Sequence, residues 1–294
     1  MKITVIGPGA IGTLLATSMA KCGNDVSVLV KSLQKKQLEN GIMILDDFHG
    51  KKIESRVKIT TKLENPDWTI LAVKSYDVAN LVHLLKKGKS PVLCCQNGIK
   101  TYKQMKEEID RERIAYMVTG MGCSKIGPGR AVFKGSGFTY IGTISGQKIP
   151  EIQELSDVMN KSGIQCKVVE DIFNYVWLKA IINCSINPVA AYYRVTNGKL
   201  ERPELKQKIR SICMETKEIA KKTGIDLPLE PWAEIKRIIQ NTSENKCSML
   251  QDLENGNQTE IDALNGEIIR IANDNGLDAP YNKEIMEKIT SVSN

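Results

Sequence analysis

Two sets of residues in this chain have types and spacing suited to chemistry. The first is Gly7-Pro8-Gly9-Ala10-Ile11-Gly12, in the pattern Gly-x-Gly-x-x-Gly. In such a pattern Gly7 permits a tight turn, Gly9 lets backbone N–H groups approach a pyrophosphate, and Gly12 lets a helix pack closely on a strand. The helix that follows adds partial positive charge at its N-terminus, which suits phosphates. The alternative is a glycine turn with a structural role only. The second set is Lys179, Asn183 and Asn187, one helical turn apart on one face. A polar stripe on an otherwise apolar helix is costly unless it faces a cleft. A lysine withdrawn from water titrates low enough to serve as a general acid near neutral pH. An ordinary surface lysine is the competing reading.

The end of the second strand chooses between nicotinamide cofactors. An NAD site carries Asp or Glu there, for the ribose hydroxyls. This chain has Val30-Lys31-Ser32, then Lys35 and Lys36. Cations at that point pair with a 2′-phosphate, so NADP(H) is expected, unless Lys31 is only a solvated loop residue.

The elements that must position these groups follow from patterning. Lys2 to Ile6 reads as a buried strand, the glycine turn comes next, Leu14 to Ala20 is helical, and Asp25 to Val30 is a second strand. Strand, turn, helix and strand make a βαβ unit of a parallel sheet. Further strands are expected at 68–73, 91–95, 114–118 and 165–169, with helices at 78–85 and 151–161. The glycine-rich stretch 127–142 reads as antiparallel strands. After about Asp171 glycine thins and apolar residues fall at helical spacing. Pro203, Pro228, Pro231 and Pro280 sit where helices start or stop, and Pro188 is expected to interrupt its helix just after the polar stripe. The fold class is α/β: a Rossmann-type dinucleotide-binding domain over 1–170, then an all-helical substrate and catalytic domain over 171–294.

Composition excludes other classes. The net charge of +7 is spread among acidic residues rather than blocked, which disfavours a nucleic-acid stripe and suits anionic small molecules. The eight cysteines form no Cys-x-x-Cys, and neither His49 nor His83 stands near a cysteine at ligand spacing, so no metal site is expected. With Met1 to Ile6 reading as a strand, no signal peptide is expected, no apolar run is long enough for a bilayer, and free thiols suit a reducing cytoplasm.

Longer blocks carry a family resemblance. Trp177-Leu178-Lys179-Ala180-Ile181-Ile182-Asn183-Cys184-Ser185-Ile186-Asn187-Pro188 resembles the signature of the ketopantoate reductases. So do Asn245-Lys246-Cys247-Ser248-Met249-Leu250-Gln251-Asp252, Thr259-Glu260-Ile261-Asp262, Asn265-Gly266, Gln96-Asn97-Gly98 and Val73-Lys74. They span nearly the whole chain in the family's order. The resemblance implies reduction of 2-dehydropantoate to pantoate with NADPH, on the route to pantothenate and coenzyme A. It implies Lys179 as proton donor and Glu260 as the group that bonds the substrate hydroxyl or cofactor and holds the reacting geometry. Asn183, Asn187 and Asn197 would bond the substrate, and Ser248 its carboxylate, with Asn245 nearby. Lys74 and Asn97, just beyond strand ends, would contact the cofactor. Cys123 falls where the family has a small residue beside the nicotinamide, and its backbone would serve; a nucleophilic cysteine needs a paired histidine.

The chain departs from the family at two places. Asn257 stands where a basic residue is common, which bears on a domain contact or on substrate choice. Lys31 stands where an arginine is common, and the two cations are not equivalent. The alternatives are a reductase of another 2-keto or β-hydroxy acid, and a non-catalytic NADP-sensing protein, which would need neither Lys179 nor Glu260. The partner is a small keto acid, with no nucleic acid or membrane involved, and a homodimer is compatible with the apolar surface of the helices.

Overall fold

The computed structural model describes residues 1–47, 50–135, 137–143 and 149–292, without the side chains of 102, 103 and 106. His49 lies outside the described residues. The chain forms two compact units, one of Met1–Gln96 with Tyr102–Phe173 and one of Asn97–Thr101 with Asn174–Asn294.

The first unit opens with β1 (Lys2–Ile6), α1 (Ala10–Lys21) and β2 (Asp25–Leu29), then a short α2 (Ser32–Gln37). Next come β3 (Ile42–Asp46), β4 (Lys52–Arg56), β5 (Lys58–Thr60), β6 (Trp68–Leu71), α3 (Val82–Lys87) and β7 (Val92–Cys94). Beyond α4 (Lys100–Glu108) lie β8 (Ile114–Thr119), β9 (Gly122–Gly127), β10 (Arg130–Gly135), β11 (Thr139–Thr143), α5 (Ile152–Lys161) and β12 (Cys166–Val168).

Eight of these strands form one sheet in the order β12-β11-β8-β7-β6-β1-β2-β5. It is parallel from β8 to β5, and β11 runs antiparallel to β8. Parallel strands covered on both faces must be apolar throughout, and Ile3, Val5, Val28, Trp68, Ile70 and Leu93 are fully buried. A second sheet, β4-β3-β10-β9, shares the core with α1 and is tied to it where Ser55 Oγ donates to the Thr17 carbonyl at 2.9 Å. The sequence reading did not assign β3 and β4, whose alternation is short and charged. The antiparallel strands expected at 127–142 are β10, antiparallel to β9, and β11, antiparallel to β8; they fall in different sheets, and β10 also pairs in parallel with β3. The helix expected at 78–85 starts as a 3-10 turn at Ala79–Leu81 and continues as α3, with a separate 3-10 turn at Ser75–Asp77 before it.

The second unit is helical: α6 (Ile172–Tyr192), a 3-10 turn at Asn197–Glu201, α7 (Pro203–Lys222), α8 (Pro231–Asn241), α9 (Ser248–Glu254), a π-turn at Asp262–Gly266, α10 (Glu267–Asp274) and α11 (Pro280–Val292). Three helices begin on a proline, whose missing N–H has no intrahelical partner to lose there. Pro188 does not break its helix, contrary to the sequence expectation, because α6 runs through it to Tyr192. The carbonyl that the proline leaves unbonded is that of Cys184, and a side chain from elsewhere in the unit bonds it.

The glycine turn shows why its residues are fixed. Gly7 has φ +98°, and a Cβ on Gly12 would lie 2.0 Å from the Gly7 carbonyl oxygen. Gly12→Ala is therefore expected to force α1 off β1, at about 1–3 kcal/mol, visible as a lower midpoint of thermal unfolding. An unchanged midpoint would contradict that packing.

Candidate active site

In the first unit the expected cofactor residues gather at the C-terminal ends of the strands, where ligands of open α/β sheets bind. Gly9 caps α1 with an extended backbone and no side-chain bond, so the first N–H groups of the helix have no intrahelical acceptor. A Cβ on Gly9 would meet only the Ala72 carbonyl oxygen, at 3.6 Å. The turn is thus filled at Gly12 and open at Gly9, as an approaching pyrophosphate requires. Pro8 is buried, and Ala10 and Ile11 are partly exposed on the first turn. Cys123 Sγ donates to the Ala10 carbonyl at 3.4 Å. Burial pushes that thiol up to about 12, so it stays protonated and acts as a tie, not as a nucleophile.

Lys74 caps the 3-10 turn that carries Asp77, and Lys31 Nζ pairs with Asp77 Oδ1 at 3.2 Å. The Lys31 side chain is 78% exposed, so this pair is weak and leaves the cation able to turn to a phosphate. Gln96 Nε2 donates to the carbonyls of Leu71 and Val73, at 2.7 and 3.1 Å, and fixes the end of β6 beside Lys74. Neither Asp77 nor the Gln96 clamp was foreseen. Gln96 adjoins Asn97 in the Gln96-Asn97-Gly98 motif, and its amide is a signal for such a clamp.

In the second unit α6 presents Lys179 and Asn183 on partly exposed positions and Asn187 on a buried one. Lys179 is only half-buried as a residue, yet its ammonium is surrounded by protein. Desolvation draws its pKa from 10.5 to about 8, and the nearby Glu260 carboxylate opposes the drop. Glu260 itself is 8% exposed and lies just ahead of the π-turn, a departure from regular helix that often marks a working site. The 97–101 segment belongs to this unit. Gly98 has φ +85°, and a Cβ there would be 2.6 Å from the Ala263 carbonyl, so Asn97 stands beside the π-turn. Lys100 Nζ bonds Asp262 Oδ2 at 2.6 Å and, with Arg270, holds that carboxyl below its usual range.

The other expected substrate residues come together through backbone ties. The Asn197 N–H donates to the Asn245 carbonyl at 3.0 Å, and the Gly198 N–H to the Ser243 carbonyl at 2.8 Å. The Asn197 side chain is buried and donates to Thr242 Oγ1 at 2.8 Å. Ser248 is exposed at the start of α9. That helix is capped by Cys247, whose sulfur accepts from the Leu250 N–H and donates to the Asn187 carbonyl, both at 3.4 Å. Ser248 is thereby fixed next to Asn187, a link not visible in the sequence. Among the described residues no group of three His, Cys, Asp or Glu could hold a metal, and no helix is long and apolar enough to cross a membrane.

Comparison with known proteins places these features. Residues 3–146 match the family model described as ketopantoate reductase PanE/ApbA, and residues 171–293 match its C-terminal counterpart. A 2-dehydropantoate 2-reductase of Pyrococcus abyssi is 32% identical, over 96% of this chain and 94% of its own length. The chain belongs to the ketopantoate reductase family. Another member, from Archaeoglobus fulgidus, is 29% identical over 99% of this chain and 97% of its own. Ketopantoate reductases thus resemble it from end to end. In fold, the PanE/ApbA family ketopantoate reductase of Ralstonia eutropha superposes with a TM-score of 0.89 at 23% identity, over 100% of this chain and 98% of that one. A D-mandelate dehydrogenase solved with NADH and anilino(oxo)acetate superposes with a TM-score of 0.91 at 23% identity, over the same shares. The chain is therefore an oxidoreductase family member with a Rossmann-type N-terminal domain and a helical C-terminal one.

Lys179 is expected to titrate near pH 8 in NMR spectra of lysine-labelled protein, assigned with Lys179→Arg. Glu260→Gln removes the charge that raises this pKa, so the midpoint should fall further. A midpoint near 10.5 would contradict the enclosure of the ammonium.

Proposed function

We propose that this chain reduces 2-dehydropantoate to pantoate with NADPH, in pantothenate and coenzyme A biosynthesis. The observation that carries the reading is Lys179 on the same face of α6 as the amides of Asn183 and Asn187, in a chain of this family. A nicotinamide dinucleotide held there would supply the hydride for the keto carbon. The rest is done by side chains. Lys179 points a donor at the carbonyl oxygen, stabilises the negative charge as it develops, and gives up one proton. One hydride and one proton convert ketone to alcohol, and the lysine is reprotonated from water. Glu260 keeps the ammonium charged enough to act and accepts from the nascent hydroxyl.

Asn183 and Asn187 hold the acyl end of the substrate, and Ser248 with Asn245 takes its carboxylate. Asn197 gives one amide hydrogen to Thr242 and would bond the substrate with the rest of its amide, beside the turn that bears Asn245. On the cofactor side, the α1 N-terminus takes the pyrophosphate. Lys74 and Asn97 would contact the remainder, and the Cys123 backbone would serve the nicotinamide. Lys31 leaves Asp77 for the 2′-phosphate, which sets NADP(H) ahead of NAD(H). A wider 2-keto acid range is the second reading, favoured by the exposed Asn257 in place of a basic residue.

The test follows NADPH and NADH absorbance with ketopantoate and a panel of 2-keto acids. Wild type is expected to oxidise NADPH fastest with ketopantoate, and Lys179→Ala to lose roughly 100- to 10,000-fold in kcat. Lys31→Glu should lower kcat/KM for NADPH about 10- to 100-fold, the worth of one charged hydrogen bond, while NADH gains. Faster turnover of another keto acid would overturn the substrate. Tight NADPH binding with no turnover would point to a sensor.

A further inference from the structure

The helix that carries Lys179 contains a proline, and the consequence lies within the second unit. In a regular helix the N–H of residue 188 would bond the carbonyl of residue 184. Proline has no N–H, and its ring crowds that carbonyl. The Cys184 carbonyl is therefore left without its helical donor, on a residue with no exposure. A buried unbonded carbonyl is unfavourable, and it sits midway between Lys179 and Asn187.

Asn265 replaces the missing donor. Its Nδ2 gives one hydrogen to the Cys184 carbonyl at 3.1 Å and the other to Asn282 Oδ1 at 2.9 Å. Asn282 Nδ2 in turn donates to Glu215 Oε1 at 2.8 Å and to Thr216 Oγ1 at 3.0 Å. The two Glu215 oxygens also accept the N–H groups of Asn282 and Tyr281, each at 2.9 Å, at the start of α11. Both asparagines are wholly buried. Asn265 is the donor in both directions, to the Cys184 carbonyl on one side and to Asn282 on the other, and Asn282 passes a bond on to the Glu215 carboxylate.

Asn265 lies inside the π-turn, where the Gly266 N–H reaches back to the Ile261 carbonyl at 3.1 Å and the Leu264 N–H to the Glu260 carbonyl at 3.0 Å. The π-turn and Glu260 are thus one backbone piece. We infer that Asn265 is a positioning residue: it clamps the proline-containing stretch of α6 to the π-turn and so fixes Lys179, Asn183 and Asn187 relative to Glu260. It touches no reacting atom. Pro188 and Asn265 act as a pair, the first freeing a carbonyl for an outside donor and the second supplying it. The inference rests on Lys179 and Glu260 being the working groups, but not on the identity of the keto acid.

The experiment needs no substrate. Asn265→Ala is compared with wild type in the Pro188 and Pro188→Ala backgrounds, by thermal unfolding and by NMR titration of Lys179. Restoring the backbone N–H at 188 gives the carbonyl its own partner, so Pro188→Ala should at least halve the loss in thermal midpoint caused by Asn265→Ala. In folded Asn265→Ala the Lys179 midpoint should rise from about 8 toward 10.5, because loosening the helix readmits water and desolvation is the larger cause of the shift. If Asn265→Ala does not fold, Asn282→Ala, which removes the acceptor of Asn265 along with the side-chain bonds to Glu215 and Thr216, is read the same way and should shift Lys179 in the same direction. Equal stability losses in both backgrounds, or a Lys179 midpoint that stays near 8 or falls, would overturn the clamp. Failure of ketopantoate turnover alone would overturn the substrate and leave this result standing.

Discussion

An ammonium withdrawn from water is the constraint on which the helical unit depends. Desolvation disfavours the charged form of Lys179, while the Glu260 carboxylate favours it. The balance leaves the group near pKa 8, close to neutrality and able both to hold and to release a proton. Neither influence survives small displacements, since burial and charge separation both vary over a few ångströms. The surroundings are accordingly tied by hydrogen bonds more than by apolar contact alone. Asn265 bonds the α6 backbone, Cys247 joins the start of α9 to Asn187, and Asn197 joins two turns.

The first unit meets a different demand, close approach of backbone to an anion. Its turn is steric at Gly7 and Gly12 and open at Gly9, and the cations lie at the strand ends. Lys31 is exposed and pairs with Asp77, a surface contact that can rearrange. A net charge of +7 adds general attraction for anionic ligands.

Much of this was legible in the sequence because it lies in short local patterns. The glycine turn between two apolar runs, the three polar residues at helical spacing, and the prolines at helix starts each report a backbone geometry directly. The second sheet was not legible, because β3 and β4 are short and partly charged and their partners β9 and β10 are distant in the chain. Pro188 misled for a related reason. A proline is read locally as a helix break, whereas here the donor that lets the helix continue is Asn265, far along the chain and inside a π-turn that no periodicity announces. The Lys31–Asp77 pair and the Cys247 cap are likewise products of folding, carried by residues whose types alone are unremarkable.

The most direct test of the central claim, that Lys179 supplies the proton, is the pH dependence of single-turnover reduction by preformed enzyme–NADPH complex. The group must be protonated to act. The rate constant should be level below about 8 and fall about tenfold per pH unit above it, with the break at lower pH in Glu260→Gln. A rate that stays level through pH 10, or a break that Glu260→Gln leaves in place, would contradict the account.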